Sequence, residues 1–156
     1  GHSVVVVDAD LRRATATKAA GVTSSAGLSD LLAGRATLQQ ATYDRSGAPI
    51  IAAGTTVGNA AELLATETFA QTLAELGREY DTVLLVGAPL LTYTDSSVIA
   101  AQVASVVPVV QSGTVRRSQL QQTLESLELC QAHVGGLVLT DARVSARARQ
   151  MVGAGK

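Results

Sequence analysis

Two carboxylates stand two positions apart with two arginines directly behind them, in the run Asp8-Ala9-Asp10-Leu11-Arg12-Arg13. On an extended segment, residues at i and i+2 project to the same side. Carboxylates so placed can hold Mg²⁺ or its waters, or accept a proton, and arginines beside them can meet phosphate oxygens. The same residues also suit a structural role, with an aspartate capping the loop at a strand end while Asp10 and Arg12 are solvated. Both roles stay open on residue type and spacing alone. A second polar cluster, Thr92-Tyr93-Thr94-Asp95, follows Gly87-Ala88-Pro89. A nucleotide hydrolase normally ends the preceding strand in an aspartate that holds the metal through water; here that place is Gly87. Asp95 is the next carboxylate, and it is placed to cap a helix.

These groups need a scaffold, and the apolar pattern supplies one. Ser3 to Asp8 is an all-valine run ended at once by polar residues, as a fully buried strand is. Four further runs predict strands: Ile50 to Ala53, Thr82 to Val86, Val106 to Val110 and Gly136 to Leu139. Helical spacing falls between them. Leu28, Leu31 and Leu32 form a short helix closed by Gly34. Asn59 and Thr66 are N-cap candidates. Phe69, Leu73, Leu76 and Tyr80 make one apolar stripe, and Leu120, Leu124 and Leu127 another. Asp95 opens a helix toward Ala104, and a basic helix follows Asp141. Strands alternating with helices predict an α/β fold, a mostly parallel sheet with helices on both faces, in a single domain spanning 1–156. In such a sheet ligands bind beyond the carboxyl ends of the strands, where Asp8, Asp10 and Gly87 fall.

Composition excludes other classes. The chain has 156 residues, 47% of them hydrophobic and 16% charged, with a net charge of −1. No global basic field argues for nucleic acid or an anionic membrane. A lone cysteine, Cys130, excludes an internal disulfide framework, and His2 and His133 are too far apart in sequence to suggest zinc. The longest apolar stretch, Val98 to Val110, is well short of the roughly 20 residues of a spanning helix, and no signal peptide is visible. The expected compartment is cytoplasmic. Arg143, Arg147 and Arg149 lack interleaved aromatics, so they read as a solvated face or a contact to an acidic surface.

VVVVDADLRR resembles the second Walker-type motif of the bacterial tyrosine kinases, cytoplasmic domains that regulate capsular and exopolysaccharide chain length. That motif is an apolar run followed by Asp-x-Asp-x-Arg, matched by Asp8, Asp10 and Arg12. The likeness continues in order. Gly27-Leu-Ser-Asp-Leu-Leu-Ala-Gly34 resembles the family's next loop and helix, and Gly58-Asn-Ala-Ala-Glu-Leu-Leu-Ala65 its Pro-Asn-Pro-x-Glu-Leu-Leu segment. Tyr80-Asp81 leads into the Walker B strand, Thr94-Asp95 matches the Thr-Asp after it, and Gly135-Gly-Leu-Val-Leu139 is similar to the late strand that ends beside the base. The resemblance places the chain in the wider MinD/ParA-like group of P-loop ATPases. It implies a P-loop NTPase-like fold whose first βα unit, with the Walker A loop, lies upstream and is missing from this chain.

By that resemblance Asp8 and Asp10 are the catalytic and metal-holding carboxylates. Asp8, Asp10, Arg12 and Thr140 are the nucleotide-binding positions, and ATP with Mg²⁺ is the implied cofactor. A transmembrane chain-length or activator protein is the implied partner, with a possible homo-oligomer and no nucleic acid, at the cytoplasmic face of the inner membrane. Several positions depart from the family. Gly87 replaces the Walker B aspartate, Thr140 stands where the base-reading Asn is, and the tyrosine-rich tail is absent, the last tyrosine being Tyr93. No Walker A loop occurs in these residues, and each charge-assisted phosphate contact it would make contributes about 1.5–3 kcal/mol. The expectation is a regulatory domain impaired as a catalyst. The alternatives are an active tyrosine kinase whose Walker A loop lies outside the chain, and a MinD/ParA-like ATPase.

Overall fold

The computed structural model describes residues 1–23, 26–45 and 47–142. The chain divides into two compact units, Gly1–Val103 and Ala104–Lys156. In the first unit the order is β1 (Val4–Asp8), α1 (Thr15–Ala19), α2 (Leu28–Leu32), α3 (Leu38–Ala41), β2 (Thr42–Tyr43), β3 (Ile50–Ile51), α4 (Ala60–Leu64), α5 (Glu67–Glu79), β4 (Thr82–Val86) and α6 (Asp95–Ala100). The second unit holds β5 (Val109–Gln111), α7 (Arg117–Leu129) and β6 (Val138–Thr140).

The first unit's sheet runs β2-β3-β1-β4. β1 is parallel to both neighbours, Val7 facing Ile51 on one side and Leu85 on the other. Side chains alternate across it. Val5 and Val7 enter a core with Leu28, Ile51, Leu64, Phe69 and Leu76, which Val83 and Leu85 join partly buried. Val6 points to the other face, where Ala16, Ala20 and Tyr43 pack around Val22, Ile50 and Ala52. The all-valine run is therefore covered on both sides, which is why it shows no polar alternation. Ser3 donates to Asp81 Oδ2 through its backbone N–H at 2.8 Å and its hydroxyl at 2.9 Å, pinning the starts of β1 and β4.

The mostly parallel α/β sheet is the predicted one, with one addition. β2 runs antiparallel to β3, Thr42 facing Ile51; at two residues it is too short to leave a periodic trace. Two short helices were also silent in the apolar pattern, α1 and α3, the latter held by a Thr37–Gln40 capping box. Thr66 caps α5 as its type suggests, accepting from the Phe69 N–H at 3.3 Å. Phe69 and Leu76 from the α5 stripe are buried, with Leu73 and Tyr80 at the core's margin. Asn59 sits at the N-cap of α4, but its side chain makes no capping bond.

In the second unit β5 and β6 are parallel, Val110 facing Leu139, and α7 provides the crossover. Both strands begin and end later than their apolar runs; β5 starts only after Pro108, which has no N–H to donate, and Val106 makes an isolated bridge to Val134. Leu127 of the α7 stripe is buried while Leu124 is exposed. The predicted basic helix with Arg143, Arg147 and Arg149 lies outside the described residues.

α2 starts against the exit of β3. The backbone N–H groups of Leu28 and Ser29 donate to Ala52 O at 2.7 Å and Ala53 O at 3.0 Å, satisfying donors that a helix start leaves unpaired. The Ser29 hydroxyl donates to Thr55 O at 2.7 Å. Asp30 accepts from the Thr55 N–H at 2.9 Å, the Thr55 hydroxyl at 3.0 Å and Arg35 Nη2 at 2.8 Å. Burial alone would push this carboxyl up, but the Thr55 N–H and the bonds from Arg35 and the Thr55 hydroxyl outweigh it and hold it below the usual range. A depressed folded-state value means that the contribution is complete above the unfolded carboxylate value, about 3.9, and is lost as pH falls through the lower folded value. Asp30→Asn is therefore expected to melt at a lower temperature than the natural sequence at neutral pH. The gap should narrow below about pH 3.9, as thermal unfolding across a pH series would show; a constant gap would rule out this carboxyl as the acid-sensitive group.

Candidate functional site at the end of the first strand

In the first unit the chain leaves β1 to build β3 on one side and later returns to build β4 on the other. Such a reversal opens a crevice beyond the strand ends, the usual place for a ligand in an open parallel sheet. Asp8 closes β1, paired in register with Val86, and the Ala9 N–H donates to Val86 O at 2.9 Å. The Asp8–Arg13 segment and Gly87 therefore leave adjacent strands together, as their sequence positions suggest.

The two carboxylates are completely buried, and their surroundings are built from this chain. Asp8 Oδ2 accepts from the Thr17 N–H and the Thr17 hydroxyl, both at 2.7 Å, and Oδ1 accepts from the Asp10 N–H at 3.2 Å. The Thr17 hydroxyl in turn accepts from the Ala53 N–H at 2.9 Å. One aspartate thus ties the end of β1 to α1 and, through Thr17, to the exit of β3. Asp10 Oδ2 accepts from Arg13 Nε at 2.9 Å and the Thr15 hydroxyl at 3.3 Å, and forms an ion pair with Arg13 Nη2 at 2.9 Å. Its Oδ1 accepts from the Arg13 N–H at 3.2 Å.

A divalent cation asks for oxygens free to turn toward it. Here all four carboxylate oxygens already accept hydrogen bonds, and one faces a guanidinium. Arranged in this way, the pair does not fit Mg²⁺. Among the described residues no group of three or more His, Cys, Asp or Glu side chains is placed to hold a metal ion.

Arg12 turns away from Asp10 toward Asp95. Its Nε donates to Asp95 Oδ2 at 2.7 Å and its Nη2 to Oδ1 at 3.1 Å, the two-pronged geometry that makes arginine–carboxylate pairs specific. Nη1 donates to Gly58 O at 3.3 Å, and the guanidinium lies 4.7 Å from the centre of the Tyr93 ring. The bonds that Arg12 donates to Asp95 hold its pKa above the ordinary arginine value. Asp95 is therefore not the helix cap its position suggested. Thr94 holds that place without a side-chain bond, and Asp95, buried in the first turn of α6, spends both oxygens on Arg12. Neither Thr17 nor the Arg12–Asp95 pair was visible in the sequence, since partners nine and 83 positions apart follow no local spacing rule.

Gly87 is exposed, and a β-carbon there would meet only the Ser96 side chain and the tip of Ile99. The Ser96 hydroxyl donates to Ala88 O, so a larger residue would require only that this hydroxyl turn. Thr140 ends β6 in the second unit, where its carbonyl accepts from the Ser112 N–H at 2.9 Å.

No protein-family model matches the chain. A tyrosine-protein kinase, ptk, of Acinetobacter johnsonii is 27% identical over 144 residues, which are 91% of this chain and 20% of that protein. The chain thus spans about a fifth of this curated relative, and 62% of the tyrosine-protein kinase YwqD of Bacillus subtilis, to which it is 25% identical. Among solved structures, the VpsO kinase domain superposes with a TM-score of 0.83 at 27% identity, over 88% of this chain and 69% of that one. The cell-division ATPase MinD of Pyrococcus furiosus, 20% identical, shares the fold with a TM-score of 0.69 over 97% of this chain and 67% of that one.

Proposed function

We propose, from this kinship with the bacterial tyrosine kinases, that the chain is a regulatory domain in the control of capsular or exopolysaccharide chain length. In this reading it works through protein contacts and is impaired as a phosphotransferase. The observation that carries the reading is the state of the Asp8–Asp10 pair: buried, with every oxygen committed to Thr17, Arg13, Thr15 or backbone. Gly87 adds to it, because the strand beside the pair ends without the carboxylate that would steady a metal through water. What remains is a rigid strand-end cluster, suited to holding a surface in shape.

The rest follows from the resemblance. ATP and Mg²⁺ are the ligands the relatives' chemistry implies. The partner is a transmembrane chain-length or activator protein or segment, with self-association of the domain as a second contact and no nucleic acid. The site of action is the cytoplasmic face of the inner membrane, reached through a fused or partner segment. Among the described residues no helix is long and apolar enough to cross a membrane.

An active tyrosine kinase whose phosphate-binding loop lies outside these residues is the second reading. The intact Asp8-x-Asp10-x-Arg12 and the 0.83 superposition on a kinase domain favour it. The two are separated by incubating the protein at its full encoded length with Mg·ATP, and measuring ATP turnover and phosphotyrosine formation. Turnover no higher than that of an Asp8→Asn, Asp10→Asn variant is expected. Turnover that this double substitution abolishes would overturn the regulatory reading in favour of the kinase.

A further inference from the structure

We infer that Arg13 is a built-in counter-ion that closes the Asp8–Asp10 pair to divalent cations. Its Nε and Nη2 both lie 2.9 Å from Asp10 Oδ2. Its own N–H covers Oδ1 at 3.2 Å. The backbone is bent to make this possible: the Arg13 and Ala14 N–H groups both donate to Asp10 O, at 3.3 and 2.8 Å, and Ala14 is left-handed at φ 51°. Alanine rarely adopts that conformation; Ala14 is the residue through which this turn passes into α1. On the other carboxylate, Thr17 occupies the inner oxygen with two short bonds.

Arg13 is also the removable part of this arrangement. Its side chain is 45% exposed while Asp10 is fully buried, so the guanidinium can leave for water without crossing the core. Thr17 is packed inside and cannot. Access of an ion to Asp10, the half of the pair that Thr17 does not hold, is therefore set by Arg13, and the closed state is the one in which its positive charge stands in for a metal. This rests on the proposed reading of the pair as a cation-holding motif turned inward, but it makes no use of nucleotide.

The test is Mn²⁺ binding without nucleotide, read from the loss of the free-ion paramagnetic resonance signal, on the natural sequence, Arg13→Gln, and Arg13→Gln with Asp10→Asn. The natural protein is expected to leave the signal unchanged. Arg13→Gln should bind about ten- to a hundredfold more tightly, the fold-change of one charge-assisted contact, and Asp10→Asn should abolish the gain. Equal binding by the natural sequence and Arg13→Gln, at any affinity, overturns the inference, as does a gain that survives Asp10→Asn. Circular dichroism checks folding. Should Arg13→Gln not fold, Arg13→Ala carries the same comparison, because it too removes the charge beside Asp10; tighter binding than the natural sequence is expected, and equal binding overturns the proposal. The two readings fail separately: Mn²⁺ binding by the natural protein equal to that of Arg13→Gln, without turnover, sinks this one alone, and turnover sinks the regulatory one.

Discussion

Gly27→Ala is expected to cost the first unit about 4 kcal/mol or more, the range reached by few single substitutions. A β-carbon at Gly27 would run into the Gly54 N and Cα and the Ala52 carbonyl oxygen, all backbone. Backbone cannot rotate aside as a side-chain tip can. Relief would require α2 to lift from the exit of β3, breaking the bonds from Leu28 and Ser29 to Ala52 and Ala53 and loosening the Asp30–Thr55 contacts. The conformation at Gly27 is not itself at issue, since its φ of −170° is extended backbone open to any residue; the close approach is. Across the contact, Gly54 is left-handed at φ 83°, and a β-carbon there would strike Asp30 Oδ2 and the Ser29 hydroxyl. A matched control lies at Gly77 inside α5, where a β-carbon meets nothing. Gly77→Ala is expected to stabilise by about 0.5–1 kcal/mol, from helix propensity and reduced backbone entropy. Urea unfolding of the three proteins checks both signs; a Gly27→Ala loss below about 1 kcal/mol, typical of an ordinary substitution, would mean that the two backbones do not approach in this way.

How far the sequence foretold this site depends on the range over which its bonds act. β1 and β4 were legible because uninterrupted Val and Leu between polar boundaries has few alternatives to a strand; β1 is covered on both faces, whereas β4 leaves Leu84 exposed. Their carboxyl ends then located Asp8, Asp10 and Gly87 without further information. Thr66 was legible because a cap acts within one turn, and so was the α5 stripe. The roles within the site were not legible. Asp8 meets Thr17 through the bend between β1 and α1, and Arg12 meets Asp95 through the register of two loops on different strands. Such pairs are set by tertiary packing, and residue type alone left each aspartate two roles. Asp95 shows the consequence. A carboxylate in the first turn of a helix is favourable near the N-terminus, which made capping a sufficient account, yet a two-pronged bond to arginine took both its oxygens. β2 and α1 were missed because elements this short carry too few residues for a period.

Asp8→Ala is the second large effect, and it separates the two roles that residue type left open. The substitution leaves the buried Thr17 N–H and hydroxyl without their 2.7 Å acceptor and frees the Asp10 N–H. Hydrogen bonds to a charged group contribute about 1.5–3 kcal/mol each, so losing the two from Thr17 should cost roughly 3–6 kcal/mol. Asp8→Asn should recover little of this. An amide has one accepting oxygen, and its NH₂ would be turned toward either the Thr17 donors or the Asp10 N–H. Thr17→Val removes the hydroxyl from the other side and also strips the Ala53 N–H of its acceptor. The two changes share a bond, so they should not add: a double-mutant cycle by urea unfolding is expected to give a coupling of about 0.5–3 kcal/mol. An aspartate that served mainly to hold a cation would behave differently. Its removal would relieve the burial of an uncompensated carboxylate and stabilise the metal-free protein, and the natural sequence would gain stability when Mg²⁺ is added, by mass action. Here the loss on Asp8→Ala is expected to be the same in Mg²⁺ and in EDTA, because the donors that Asp8 satisfies belong to the fold itself.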